Sequence, residues 1–288
     1  MQKVLIVGSG DVARRALPWL VGRYRVFALV RNPANAEIWR SGGAIPVLGD
    51  LDRPVTLRRL AGLADYVLHF APPPGEGDRD SRSRRLAAVL ARGRSLPRAL
   101  VYVSTTGVYG DCGGAVIDET RPAAPRNPRA RRRVDAEGVL RDFGRRGRVR
   151  VAILRAPGIY AAERLPVERL RAGSPALRSE EDVHTNHIHA ADLARACCLA
   201  LARGRANRVY NVVDDTDLPM GDFLDAVADA LSLPRPPRVG RREAEQILTP
   251  IQMSFLRESR RIDNRRVKDE LGLRLAFPTV ATLLRSLA

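Results

Sequence analysis

A glycine-containing turn comes directly after the first apolar run of the chain. The run is Lys3–Val7, and the sequence Gly-Ser-Gly-Asp-Val-Ala at 8–13 follows it and opens a helical pattern. In a G-x-G-x-x-G/A turn, one glycine allows the tight turn and another lets the backbone approach a pyrophosphate. The helix N-terminus adds free N–H groups and partial positive charge. This spacing predicts a dinucleotide site formed by Gly8, Ser9, Gly10, Asp11 and Val12; the alternative is a glycine turn that has lost its ligand.

The end of the second β-rich run distinguishes between two coenzymes. It reads Val30-Arg31-Asn32, and no carboxylate occupies positions 29–33. An acid there would bind the 2′-hydroxyl of the adenosine ribose, whereas an arginine pairs with a 2′-phosphate. We therefore expect NADP(H), with NAD(H) as the less favoured alternative. Asp50 and Leu51, after the third run, are predicted to lie where an adenine edge meets a side-chain acceptor.

Alternating strand and helix patterns must position these residues. β-rich runs end near residues 7, 30, 48, 70, 103 and 154, helical patterns such as 54–63 and 79–93 lie between them, and a run at 208–213 returns to the pattern. This alternation predicts an α/β fold with a Rossmann-type, doubly wound parallel sheet. We predict a dinucleotide-binding domain over 1–160, to which 186–213 returns. The segments 161–185 and 214–288 are predicted to form a smaller C-terminal substrate lobe.

The composition excludes several classes of protein. With 288 residues and 45% hydrophobic residues, the chain can form a packed core, which excludes a disordered or fibrous protein. It has three cysteines, no signal-peptide pattern and no apolar run near the roughly 20 residues of a membrane helix. We therefore expect a cytoplasmic protein without a membrane partner. The net charge of +17 comes without a helix-turn-helix, zinc or aromatic-platform motif, so nucleic acid is not an expected partner.

The glycine turn and six later segments together resemble one superfamily. Their order and spacing are similar to those of the extended and atypical short-chain dehydrogenase/reductases, which include nucleotide-sugar epimerases and dehydratases. The likeness covers essentially the whole chain and is greatest for the atypical epimerase-like branch. It implies an NAD(P)-binding oxidoreductase or epimerase that acts on a nucleotide-sugar-like or other hydroxylated small molecule. The six segments are Gly49–Leu51, Val67–Ala71, Val103–Gly110, Leu154–Tyr160, His187–Ala194 and Val209–Val212.

The resemblance also locates the catalytic positions, and two of them depart from the family pattern. The family uses a Tyr-x-x-x-Lys pair with a Ser or Thr, and Thr105 occupies the Ser/Thr position. The tyrosine and lysine positions, eight and four residues before Glu137, hold Arg129 and Arg133. A tyrosine acidified by a neighbouring cation can accept a proton, whereas an arginine stays protonated and cannot act as a base. Arg133 can still offer positive charge to a nicotinamide ribose.

Other residues could take over the missing proton transfer or contact the substrate. Tyr109 and Tyr160 are alternative proton carriers, and Tyr109 is also a predicted substrate contact. Arg164 fits the position of a basic residue that faces an anionic substrate. Ala71 and Pro157 complete the predicted coenzyme contacts, although Ala71 opens a run of three prolines that lack N–H donors.

The histidines are expected to have structural roles. His69 and His189 match superfamily positions where we expect structural hydrogen bonds. His187 and His189 have no third ligand near them in the sequence, so no metal site is predicted.

The arginine cluster at 121–150 allows two interpretations. Residues 121–150 contain eleven arginines and three acids, and Arg129 and Arg133 would repel each other at i,i+4 unless an anion lies between them. This face either binds a phosphate of the coenzyme or substrate, or is a solvated helix with screened charges. In dimeric relatives this helix and the one at 79–93 form the subunit interface, so a homodimer is expected.

Two functions follow from these observations. Thr105 and the glycine turn favour an NADP-dependent oxidoreductase or epimerase. The missing Tyr/Lys pair favours a catalytically impaired NADP-binding sensor or scaffold, and the fold does not decide between them.

Overall fold

A computed structural model describes residues 1–287, and its centre is one parallel sheet. The strands are β1 (Lys3–Val7), β2 (Arg25–Val30), β3 (Ile45–Leu48), β4 (Tyr66–His69), β5 (Ala99–Thr105), β6 (Val116–Ile117), β7 (Arg150–Ala156), β8 (Gly158–Tyr160), β9 (Ala176–Leu177), β10 (His184–Thr185), β11 (His187–His189), β12 (Arg208–Asn211), β13 (Leu218–Pro219), β14 (Arg238–Val239) and β15 (Arg261–Ile262). Seven of them form the central sheet in the order β12-β7-β5-β4-β1-β2-β3, and all its neighbours pair in parallel.

Helices cover both faces of this sheet. They are α1 (Asp11–Val21), α2 (Ala36–Ser41), α3 (Ser81–Leu90), α4 (Pro128–Gly147), α5 (Val167–Arg171), α6 (Ala190–Arg203), α7 (Met220–Ala230), α8 (Arg241–Ile247), α9 (Pro250–Phe255), α10 (Arg265–Leu271) and α11 (Val280–Leu284). One core cluster joins the sheet to α1 and α6, and a second joins it to α3 and α4. The predicted Rossmann-type fold is confirmed.

The central strands are apolar on both sides because both of their faces are buried. Val4, Leu5, Ile6 and Val7 of β1 are all 0% exposed, as expected for an inner parallel strand. The strand order reverses at β1, which pairs with β2 on one side and β4 on the other. Such a switch point opens a crevice at the carboxyl ends of the strands.

Two predicted helices differ from the structure in type or length. The segment 54–63 contains a 3₁₀ helix at Pro54–Leu60 instead of an α-helix. The Thr56 hydroxyl donates to the Arg53 carbonyl at 2.7 Å, a side-chain bond that competes with helical backbone bonding. The predicted helix at 79–93 is shortened to α3 at both ends. It starts at Ser81 because the Asp80 side chain accepts from the backbone N–H groups of Arg82 and Ser83 and caps it.

The C-terminal segments contain short elements around a separate apolar cluster. Phe223, Leu224, Val280 and Leu284 pack there with Tyr160. The division into a coenzyme domain and a substrate lobe stays a prediction. Within residues 1–287, no helix is both long and apolar enough to cross a membrane.

Candidate functional site

The glycine turn lies at the switch point of the sheet. Gly8 has φ +94°, and a Cβ there would lie 2.6 Å from the Ala71 Cα atom, so only glycine fits. Gly10 precedes α1, and a Cβ at Gly10 would meet no protein atom within 4 Å. The helix N-terminus therefore faces open space that a phosphate group could occupy.

Two adjoining cavities open at this turn and share Gly8, Ser9 and Pro72. The larger has a volume of about 490 Å³ and the smaller about 220 Å³. All ten residues predicted to contact the coenzyme line one or both of them. Gly10, Asp11, Val12 and Pro157 line the larger cavity, Arg31, Asp50, Leu51 and Ala71 line the smaller, and Gly8 and Ser9 line both.

Arginines border the smaller cavity. The Arg31 side chain forms no hydrogen bond or ion pair with any other residue in 1–287. Arg82 donates to both Asp52 oxygens and to the carbonyls of Pro72 and Pro73, and its bond lowers the pKa of Asp52. Sequence reasoning missed Arg82; the available signal was its place at the start of α3, the helix that follows β4.

The larger cavity contains two of the three predicted catalytic residues. Thr105, at the end of β5, lines it, and its Oγ1 accepts from the Gly107 N–H at 3.2 Å. The hydroxyl proton of Thr105 therefore remains free to donate. Arg133 also lines the cavity, and its Nη1 donates to the Tyr102 hydroxyl at 3.0 Å and to the Val103 carbonyl at 2.8 Å.

The titratable groups around the larger cavity include no evident general base. Among residues 1–287, those that line it are Asp11, Arg133 and Arg164. Asp11 is already paired with Arg15 at 3.0 Å and with Arg164 at 3.3 Å. The cavity lining can therefore donate hydrogen bonds and supply positive charge more readily than it can accept a proton.

Three residues predicted to act in the site lie outside the lining of this cavity. Arg129 lies over the Phe255 ring, 4.6 Å from its centroid. The Tyr109 hydroxyl is buried and donates to Asn211 Oδ1 at 2.7 Å, and burial raises its pKa. Tyr160 is 3% exposed. Burial is the main cause that raises the pKa of its hydroxyl, and the nearby Asp214 carboxylate raises it further.

The buried histidines occupy packed positions. His69 Nε2 hydrogen-bonds the Ser83 hydroxyl at 2.9 Å, and burial lowers its pKa to about 3. His189 Nδ1 accepts from the Ala191 N–H at 3.3 Å and caps α6. His187 stacks on Phe223 with a centroid distance of 4.2 Å.

A buried ion pair holds the strand end that carries Thr105. Ser104 donates to Glu137 at 2.7 Å, and Arg155 donates to both Glu137 oxygens at 3.0 and 2.8 Å. Burial opposes ionisation of Glu137, but the bonds from Arg155 and Ser104 outweigh burial and lower its pKa. This network links α4 to β5 and β7 directly behind the crevice.

The sheet order and the glycine turn define a Rossmann-type α/β protein. The family model described as "NAD dependent epimerase/dehydratase family" matches residues 4–213. The chain belongs to this family.

Similar proteins include enzymes with different reactions. The chain is 28% identical over 240 residues to the 4-hydroxy-2-methyl-3-oxo-4-farnesyl-3,4-dihydroquinoline-1-oxide ketoreductase of Stigmatella aurantiaca, covering 78% of this chain and 71% of that protein. It is also 28% identical over 120 residues to the dTDP-D-glucose 4,6-dehydratase of Mus musculus. That match covers 39% of this chain and spans 34% of the mouse protein's length.

Solved structures reproduce the fold over nearly the whole chain. A conserved protein of unknown function from Silicibacter pomeroyi DSS has a TM-score of 0.79 at 30% identity, covering 100% of this chain and 98% of that one. The dTDP-glucose 4,6-dehydratase of Streptomyces venezuelae, solved with NAD bound, has a TM-score of 0.79 at 22% identity, covering 99% of this chain and 95% of that one. At that identity the second likeness concerns the fold alone.

Proposed function

We propose that the protein is an NADP(H)-dependent oxidoreductase that acts on a carbonyl or hydroxyl group of a small molecule. The observation that carries this proposal is the pair of adjoining cavities around the glycine turn, with Arg31 at one end and Thr105 at the other. The open space at Gly10 fits a pyrophosphate, and the unpaired Arg31 with Arg82 fits a 2′-phosphate. When bound, the coenzyme would supply or accept a hydride.

The residues around the larger cavity would orient the substrate and stabilise charge. Thr105 has its hydroxyl proton free for the substrate oxygen, and Arg133 places positive charge beside it. Arg164, at the rim, fits an anionic part of a nucleotide-sugar-like substrate. Because the lining lacks an evident general base, water is the proposed proton carrier. The ketoreductase relative supports carbonyl reduction, and the dehydratase relatives support a hydroxylated, nucleotide-linked substrate.

The experiment combines coenzyme binding with a test of Thr105. NADPH should bind more tightly than NADH in calorimetry, and a panel of ketones and 4-keto sugars should reveal turnover with NADPH. Thr105→Val should lower kcat about 100-fold with an unchanged NADPH Kd, whereas Thr105→Ser should retain most of the activity. Failure of both coenzymes to bind would refute the proposal.

A non-catalytic NADP sensor or scaffold is the second candidate. It is favoured because the larger cavity, as formed by residues 1–287, has no tyrosine, histidine, lysine or cysteine in its lining. Tight NADPH binding without turnover of any panel substrate, and with equal behaviour of Thr105→Val and native protein, would favour this candidate.

The proposed homodimer would use the α3 and α4 surface. A groove of about 390 Å³ lies there, lined by apolar residues such as Ala88, Val139 and Phe143 with Arg84 and Arg146 beside them. Sedimentation velocity should show a dimer that Val139→Asp converts to a monomer; a native monomer would refute the arrangement.

A further inference from the structure

Two arginines on one face of α4 have no acidic partner. Arg133 lines the larger cavity, and its acceptors, the Tyr102 hydroxyl and the Val103 carbonyl, are neutral. Arg129 lies one helical turn earlier and rests on Phe255 of α9. Within residues 1–287, neither guanidinium group forms an ion pair with a carboxylate.

The carboxylate of Glu258, which attracts Arg129, already accepts hydrogen bonds from other residues. Glu258 accepts from Arg260 at 2.7 Å and from the Asn127 amide at 3.3 Å. Burial, together with repulsion from Arg133 and other nearby arginines, outweighs the attraction of Glu258 and lowers the pKa of Arg129. The positive charge at this end of α4 is therefore not neutralised by the protein.

Other arginines of the same helix differ in their partners, and Arg132 donates to the neutral Gly77 carbonyl at 2.6 Å. Arg131 pairs with Asp78 at 3.0 Å, and Arg141 pairs with Glu137 at 3.1 Å. Of the arginines without a carboxylate partner in the described part of this helix, Arg133 is the one that lines the larger cavity. Arg129 lies one helical turn from this position, and its guanidinium group rests over the Phe255 ring.

We propose that Arg129 and Arg133 form an anion subsite beside the reacting position, which selects substrates that carry a carboxylate or phosphate next to their carbonyl or hydroxyl group. This inference rests on the proposed oxidoreductase function. Guanidinium groups bind anionic oxygens through paired N–H donors, and an anion between cations at i,i+4 removes their mutual repulsion. The positions of the missing tyrosine and lysine would thus serve recognition of the substrate.

The first test uses the coenzyme-free protein and simple anions. Sodium malonate and sodium phosphate, at constant ionic strength, should each raise Tm by about 3 °C. Arg129→Gln should lose most of the malonate effect, and Arg129→Gln with Arg133→Gln should lose all of it. Arg131→Gln removes the same charge from the same helix and should retain the full rise. Arg129→Lys keeps the charge but loses the paired N–H donors, so it should retain only part of the rise. An equal rise in the glutamine variants and in Arg131→Gln would overturn the subsite.

The second test compares substrates that differ only in charge. With NADPH, 2-oxo acids or phosphorylated ketones should be reduced with a kcat/KM about tenfold above that of their methyl esters or unphosphorylated analogues. Arg129→Gln should abolish this preference and leave the NADPH Kd unchanged. Which of the two anionic series is preferred identifies the anion.

The two proposals fail in different ways. NADPH-dependent reduction that does not favour the charged substrates would overturn the anion subsite and leave the oxidoreductase function standing. Absence of NADPH binding, with the malonate effect intact in native protein and lost in Arg129→Gln, would refute the oxidoreductase function and still support the anion subsite.

Discussion

Arg133 donates a hydrogen bond of 3.0 Å to the hydroxyl of Tyr102, and its guanidinium group lies 5.7 Å from the centre of that ring. Tyr102 is fully buried in β5, and burial raises its pKa to about 12, so the phenol stays protonated near neutral pH. A phenol is thus present behind the cavity, but the arginine separates it from the cavity. Arg133 itself lines the cavity and presents positive charge to it.

Arg31 is predicted to determine the choice of coenzyme. Arg31→Ala removes a cation that can pair only with the 2′-phosphate, so the Kd for NADPH should rise about tenfold or more while that for NADH changes little. Calorimetry with both coenzymes measures this difference. Arg40→Ala, at an exposed arginine paired with Glu37, is the control. Equal weakening of both coenzymes by Arg31→Ala would contradict the assignment.

Gly10 is predicted to be required for the ligand and dispensable for folding. A Cβ at Gly10 or at Gly22, near the opposite ends of α1, meets no protein atom within 4 Å. Gly10→Leu and Gly22→Leu should each change the unfolding free energy by only about 1 kcal/mol. Gly10→Leu alone should abolish NADPH binding, because its side chain fills the space in front of the helix N-terminus. Retained affinity would place the pyrophosphate elsewhere.

The Glu137–Arg155 pair is predicted to dominate local stability. Arg155→Met leaves the Glu137 carboxylate, which is 1% exposed, without its bidentate partner. Urea unfolding should show a loss of about 3–5 kcal/mol. Arg141→Met removes the partner that binds the same carboxylate from the helix surface, and should cost about 1 kcal/mol or less. Similar losses in both variants would show that the buried arginine has no special role.

Asp214 is predicted to make stability fall with rising pH. The side chain is 4% exposed, Thr216 N–H binds its Oδ1 at 3.0 Å, and burial raises its pKa to about 7. Aspartate in an unfolded chain titrates near pH ~4, so between about pH 4 and 7 the folded protein holds a proton that the unfolded chain has lost. The stability associated with this proton is present at low pH and is lost as pH rises through 7.

Asp214→Asn removes this dependence and retains the Oδ1 acceptor. The unfolding free energy of the variant minus that of the native protein should increase by about 2 kcal/mol from pH 5 to pH 8. Urea unfolding at both pH values measures the difference. If the difference in unfolding free energy between variant and native protein is the same at both pH values, the raised pKa of Asp214 is contradicted.

The sequence predicted those parts of the site that local patterns determine. The turn at Gly8 and Gly10, the end of β2 at Arg31 and the end of β5 at Thr105 each follow an apolar run. In a parallel sheet these ends meet at one edge, so strand assignment alone brings them together.

Side chains whose positions depend on distant contacts could not be predicted in this way. Arg129 is held by Phe255, and the Tyr109 hydroxyl is bound by Asn211; in both cases the partner lies in a segment far along the chain. The 3₁₀ helix within 54–63 is accompanied by the Thr56 side-chain bond to the Arg53 carbonyl, which hydrophobic periodicity does not report.

Arg82 has a further consequence for the adenosine end of the crevice. Three separate acceptors, the Asp52 carboxylate and the carbonyls of Pro72 and Pro73, fix its guanidinium group without any ligand. The conformational entropy of this long side chain is therefore lost during folding and not at the moment of association. A ligand that binds Arg82 therefore finds a rigid, preorganised hydrogen-bond donor, which increases affinity without any additional contact.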